Sequence, residues 1–348
     1  MRLVVRLIGI TFCCAVLLSA CKKPETKTED TVPFPGFTIP HNFPASTYHF
    51  DTNPITKDGF ELGRKLFYDR ILSRDQTISC ASCHIQTSAF TQHGHAVSHG
   101  VEDRLGVRNS PPLMNLAWST SLMWDGGIID LDLQPIAPIT SHEEMDDNME
   151  NVVEKLQSSS TYPALFEKAF GSKTVTGANM LKALSQFMLM CISAESKYDS
   201  VMRQEAVFTM EEQEGYTVFQ QKCSNCHAEP LFTDMSFRNN GLTPSMVDDQ
   251  GRYAITLQEN DRYKFKVPSL RNLDYTAPYM HDGRLLNLDA VLEHYRNGVA
   301  AMLTLDPALT QNGTTGISLT EEEKQHLIAF LKTLNDPNFL KNPLLAQP

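Results

Sequence analysis

The feature that most limits what this chain can become is a five-residue pattern that occurs twice: Cys80-Ala81-Ser82-Cys83-His84 and Cys223-Ser224-Asn225-Cys226-His227. Paired thiols with a histidine directly after the second have a specific chemical use. The thiols form thioethers to the two vinyl groups of haem, and the adjacent imidazole lies under the iron as its proximal ligand. A redox dithiol, a disulfide, or one zinc site built from both pairs are the competing uses. Zinc needs no histidine after each pair, and a thioredoxin-like dithiol would not recur with one. Two covalent haems are therefore the expectation, and the fold must wrap two porphyrins.

The other four of the eight cysteines ask for less. Cys191 lies in an apolar helical run over 180–192, where it serves as a small buried hydrophobe. Cys13, Cys14 and Cys21 belong to an N-terminal stretch that reads as a processing signal: Arg2 and Arg6, then apolar residues 7–20, then Cys21. The apolar stretch is shorter than the ~20 residues of a comfortable bilayer span. Its end, Leu18-Ser19-Ala20-Cys21, looks like a bacterial lipobox, which predicts a lipidated Cys21 and a periplasmic protein tied to a membrane. Residues 22–40, rich in Lys, Thr, Glu and Pro, read as a solvated tether. With 41% hydrophobic and 20% charged residues, the remainder is neither disordered nor a multi-span membrane protein. Lys plus Arg number 30 against 41 Asp plus Glu, for a net charge of -11 and no basic run, so nucleic acid is not an expected partner.

The repeat extends beyond the haem motifs. Gly63 and Phe67 precede the first, and Gly215 and Phe219 precede the second with the same spacing. After each motif, Pro-Leu-Asn residues lead to Asp-Gly, with ten residues from Asn115 to Asp125 and ten from Asn272 to Asp282. Trp124 and His281 thus hold equivalent places. The pattern between motifs is helical: Thr209 with Glu212 and Thr320 with Glu323 form capping boxes, and residues 287–297 form a short helix ended by Gly298. The expectation is a mainly α protein of two cytochrome c-like haem domains related by internal duplication. After the signal (1–21) and tether (22–40), the domains cover residues 41–200 and 201–348, each with one haem.

Over residues 50–335 the chain resembles the bacterial di-haem cytochrome c peroxidase and MauG family. Besides both haem motifs, the resemblance rests on Arg108-Asn109-Ser110-Pro111, Trp124-Asp125-Gly126, Gln134, Glu144-Met145, Phe265-Lys266-Val267-Pro268-Ser269-Leu270-Arg271-Asn272 and Pro278-Tyr279-Met280-His281-Asp282-Gly283. It implies that the His84 haem meets hydrogen peroxide and the His227 haem takes electrons in. Glu144 then stands where the family has its distal acid–base carboxylate, Gln134 beside it, and Trp124 between the haems for electron transfer. Ser141 and Glu144 also read as a capping box for a helix running to about Gln157, and Trp124 also reads as a core aromatic.

The sixth ligands are read with alternatives. His99 best matches the family's displaceable histidine at the first haem; an open pocket, as in MauG, is the rival. At the second haem the family spacing lands on Tyr295, as in MauG, with Met302 as the thioether alternative and His294 or no sixth ligand as the remaining options. The resemblance also implies one Ca2+ held by Asn109, Thr276 and Pro278, whose oxygens are the hard donors calcium takes. Three functions follow: a lipid-anchored peroxidase, a MauG-like oxidase of a protein or aromatic substrate, and a non-enzymatic electron-transfer cytochrome. Each needs a redox donor, which the resemblance makes a small cytochrome c, a copper protein or a quinol system. It also allows a homodimer.

Overall fold

In each half of the chain, one long helix leads into the haem motif and a second crosses it at a glycine. The computed structural model describes residues 34–311 and 313–348, so the expected processing signal, with Cys13, Cys14 and Cys21, and the start of the expected tether lie outside the described residues. Helix Lys57–Tyr68 is capped by Thr56, whose hydroxyl accepts from the Gly59 amide at 3.0 Å. It packs on helix Gly177–Leu189 so closely that a Cβ on Gly63 would run into the Ala183 carbonyl. In the second half, helix Met210–Lys222 packs on helix Glu321–Lys332, and a Cβ on Gly215 would run into the His326 carbonyl. Both capping boxes read from the sequence, at Thr209 and Thr320, open these helices.

The local parallels continue past the haem motifs. Asn115 and Asn272 each take a left-handed backbone conformation, φ 57° and 61°, at the start of a short 3-10 turn. Their side chains converge on one residue: Asn115 exchanges two hydrogen bonds with the Ser193 backbone at 3.0 and 2.9 Å, and Asn272 Nδ2 donates to Ser193 Oγ at 2.9 Å. The short helix at 287–298 is Leu288–Glu293 capped by Asn287, continuing as a π-helical turn His294–Gly298. The described strands are only two-residue pairs, including Phe237–Arg238 against Phe265–Lys266. The protein is mainly α.

Phe34–Pro348 forms one compact unit with two apolar clusters. The first gathers Phe60, Phe67, Phe90 and Phe187; the second gathers Phe219, Phe232, Phe330 and Tyr198. Burial of such side chains contributes roughly 1.5–3 kcal/mol each before chain entropy is set against it. Two boundaries differ from the sequence reading. Part of the stretch expected to be a solvated tether is packed instead: Phe34 lies 5.2 Å from the Phe60 ring and Phe37 lies 4.6 Å from Phe50. The C-terminal end belongs to the first cluster and not the second, since Phe339, Leu340 and Leu345 are buried there.

Local sequence misleads at one further place. The helix after Glu144 is Met149–Ser158, and its cap is Asn148, whose Oδ1 accepts from the Asn151 amide at 2.9 Å. Ser141 instead donates its hydroxyl to Glu143 Oε2 at 3.2 Å. Glu144 is therefore not a capping residue, which leaves its carboxyl for other work.

Candidate haem and peroxide site

Each haem motif opens on its own cavity. Cys80, Cys83 and His84 line one of about 480 Å³, and Cys223, Cys226 and His227 line one of about 240 Å³. Cys80–Cys83 is a single helical turn that sets both sulfurs on one wall, with His84 as its C-terminal cap. His84 Nδ1 lies 2.7 Å from the Phe90 carbonyl, and His227 Nδ1 lies 3.1 Å from both the Phe232 and Pro268 carbonyls. A carbonyl only accepts, so Nδ1 carries the proton and Nε2 keeps its lone pair. Burial lowers the pKa of both imidazoles and keeps them neutral, as metal ligation requires.

The thiols behave unlike a redox dithiol. Burial pushes Cys80 up to about 12, Cys83 to about 11 and Cys223 to about 12, whereas a reactive dithiol needs a depressed value. A single zinc site is also excluded among the described residues: the two pairs line different cavities, and no three His, Cys, Asp or Glu side chains come together to hold a metal. A thioether-bound haem in each cavity fits this donor set: two adjacent sulfurs and one oriented Nε2.

The first cavity brings together the residues expected there. Glu144, Gln134, Trp124 and His99 all line it. Burial raises the Glu144 pKa, helped by the neighbouring Glu143 charge. Glu144 is held from behind: its carbonyl accepts from the Val101 amide at 2.8 Å, and a Cβ on Gly100 would strike the Glu143 and Glu144 carbonyls. Gln134 turns its Nε2 to the Met123 sulfur at 3.8 Å. His99 Nδ1 lies 2.6 Å from Asp103 Oδ1, so it donates there and keeps Nε2 as an acceptor. Asp103 is a partner that sequence reading missed, four residues on within the same loop.

Trp124 lines both cavities. Its Nε1–H donates to the Asn109 carbonyl at 2.8 Å, and its own carbonyl accepts from the Lys266 amide at 2.7 Å. In the second cavity Tyr295 is a lining residue and Met302 is not; the Met302 sulfur instead accepts from Asn239 Nδ2 at 3.7 Å. Burial pushes the Tyr295 phenol up to about 12. Asn109, Thr276 and Pro278 also line this cavity. Met280 lines it as well, though the sequence reading gave it no role; its neighbour His281, in the PYMHDG run, was the available signal.

Comparison with known proteins decides the family. The methylamine utilization protein MauG of Methylorubrum extorquens is 35% identical over 327 residues, covering 92% of this chain and 91% of its own. The chain belongs to the di-haem cytochrome c peroxidase and MauG family. The family model described as di-haem cytochrome c peroxidase matches residues 57–207. Cytochrome c551 peroxidase of Nitrosomonas europaea is 32% identical, with 84% of each chain covered. A solved MauG-like protein associated with microbial copper homeostasis superposes with a TM-score of 0.80 at 31% identity, over 90% of this chain and 99% of that one. As a member of this di-haem oxidoreductase family, the chain carries two haems.

Membership gives the electrostatics around the cavities a context. Arg108 pairs with Asp125 and, at 2.6 Å, with Asp249, joining the segment before Trp124 to residues 249–252. Arg271, fully buried, makes two 2.8 Å contacts with Asp199 and donates to the Pro230 carbonyl three residues after His227. No helix of the described residues is long and apolar enough to cross a membrane.

Proposed function

We propose that this chain reduces hydrogen peroxide to water at a haem held by Cys80, Cys83 and His84, with electrons arriving through a haem held by Cys223, Cys226 and His227. The observation that carries this reading is Glu144: a carboxyl freed from helix capping, facing the first cavity, with its pKa raised by burial. Haem iron supplies the redox chemistry with peroxide. The protein must move a proton between the two peroxide oxygens, and two electrons and two protons complete the conversion to two waters. Glu144 takes the proton from the near oxygen and returns it to the departing one, and a raised pKa suits both halves of that exchange. Gln134 Nε2 orients the peroxide by donation. Trp124, fixed by its bond to Asn109 on the wall between the cavities, carries electrons across.

The test is steady-state peroxide consumption with a reduced electron donor. Glu144→Gln should lower turnover by roughly 10²–10⁴ with both haems attached. Wild-type protein that consumes no peroxide would instead support a purely electron-carrying cytochrome.

A second reading has its own observation: Tyr295, not Met302, lines the second cavity. An anionic phenolate favours higher oxidation states, as MauG-like oxidation of a protein or aromatic substrate would need. His99 is the displaceable ligand of the first haem in our reading, steadied by Asp103. A Ca2+ held by the Asn109 side-chain oxygen and the Thr276 and Pro278 carbonyls, anchoring at a lipidated Cys21 in the periplasm, and descent by internal duplication belong to the same proposal. The matched glycine crossings and left-handed asparagines support the last.

A further inference from the structure

Among the described residues, seven line both cavities: Asn109, Pro112, Trp124 and the run Lys266, Val267, Pro268 and Ser269. Lys266 is the one with a charge. The other lysines and arginines on either cavity are already neutralised. Arg108 pairs with Asp125 and Asp249, Arg238 with Asp234 and Asp306, and Lys222 with Glu323. Among the described residues Lys266 has no carboxylate within salt-bridge distance, and its Nζ makes one hydrogen bond, to the Ser121 carbonyl at 2.7 Å. An ammonium has three donors, so two remain. Desolvation pushes its pKa down to about 8, against the pull of the Asp125 charge.

A half-buried cation with spare donors and no protein anion fits a site that receives its anion with a ligand. Haem brings such anions, because every haem carries two propionate carboxylates. The strand pairing of Phe265–Lys266 with Phe237–Arg238 and the bond from the Lys266 amide to the Trp124 carbonyl hold this residue on the shared wall.

We propose that Lys266 binds haem propionate at the wall between the cavities and, by serving both, sets the reduction potentials of the two haems together. This rests on the two haems alone and not on peroxide being the substrate. A cation beside a haem favours the reduced form, which carries one less positive charge; one lysine facing two haems acts on both couples.

The test is spectroelectrochemical titration of the haem-loaded protein against Lys266→Met and Lys266→Arg, with intact mass reporting haem attachment. Both midpoints should move in the negative direction in Lys266→Met and return toward wild type in Lys266→Arg. A shift at one haem only, at neither, or of equal size in the arginine variant overturns the proposal. Should Lys266→Met not take up both haems, Lys266→Gln is titrated in its place. Haem loss in the two neutral variants with retention in Lys266→Arg supports propionate binding, and loss in all three overturns it. Peroxide turnover enters neither readout, so failure here is distinct from failure of the proposed activity.

Discussion

Replacing Asp199 by Asn isolates the buried ion pair that holds the loop after the second haem motif. Asp199 and Arg271 are both fully buried, and Asp199 also accepts from Ser196 Oγ at 2.7 Å and Asn42 Nδ2 at 2.9 Å. Although burial alone raises its pKa, the Arg271 guanidinium and these hydrogen bonds outweigh it and bring the carboxyl from 3.8 down to about 2. At ~1.4 kcal/mol per pKa unit, that drop corresponds to about 2 kcal/mol of native-state stabilisation. Removing one partner of a buried pair also strands the other charge, which costs roughly 3–5 kcal/mol in comparable cases. The expected loss at pH 7 is therefore about 2–5 kcal/mol. Because the folded-state pKa is depressed, the contribution is complete above the unfolded value near 4 and disappears as pH falls through about 2. Urea unfolding of haem-loaded protein should show wild type losing this increment between about pH 4 and 2, while Asp199→Asn, already without it, loses correspondingly less. A difference under about 1 kcal/mol at pH 7, or parallel acid profiles, would refute the reasoning.

Three further outcomes follow from the same geometry. Gly63→Ala and Gly215→Ala each push a methyl into a carbonyl of the crossing helix, and each should lower stability by at least ~1–3 kcal/mol in thermal unfolding; a neutral result would mean that the helices part freely. Tyr295→Met should raise the potential of the second haem and change its paramagnetic resonance, and an unchanged signal removes Tyr295 as a ligand. Trp124→Phe keeps an aromatic ring on the shared wall but loses the bond to Asn109, so electron transfer between the haems should slow while both remain attached.

What the sequence revealed was what short-range chemistry encodes. The Cys-x-x-Cys-His pentads name their cofactor by thiol spacing, and the boxes at Thr209 and Thr320 form because each side chain reaches only three residues ahead. The Ser141 box failed on the same local rule, because Asn148 competes for the same helix and the cavity claims Glu144. Phe34 and Phe37 sit in a proline-rich stretch whose average polarity hides two aromatic anchors. Long-range partners left no local trace: Arg271 finds Asp199 at a separation of 72 residues, and the 336–348 tail packs on the opposite half of the chain. Lys266 stands inside the 265–272 motif, but its lack of an anion emerges only once every neighbouring cation is seen to have one.

The most direct test of the account is single-turnover mixing of half-reduced protein with hydrogen peroxide, following each haem separately in wild type and Glu144→Gln. The account predicts that the His84 haem reacts first, that the His227 haem is then oxidised through Trp124, and that Glu144→Gln slows the first event by at least ~10² while leaving both haems in place. First reaction at the His227 haem, or an unaltered rate in Glu144→Gln, would contradict it.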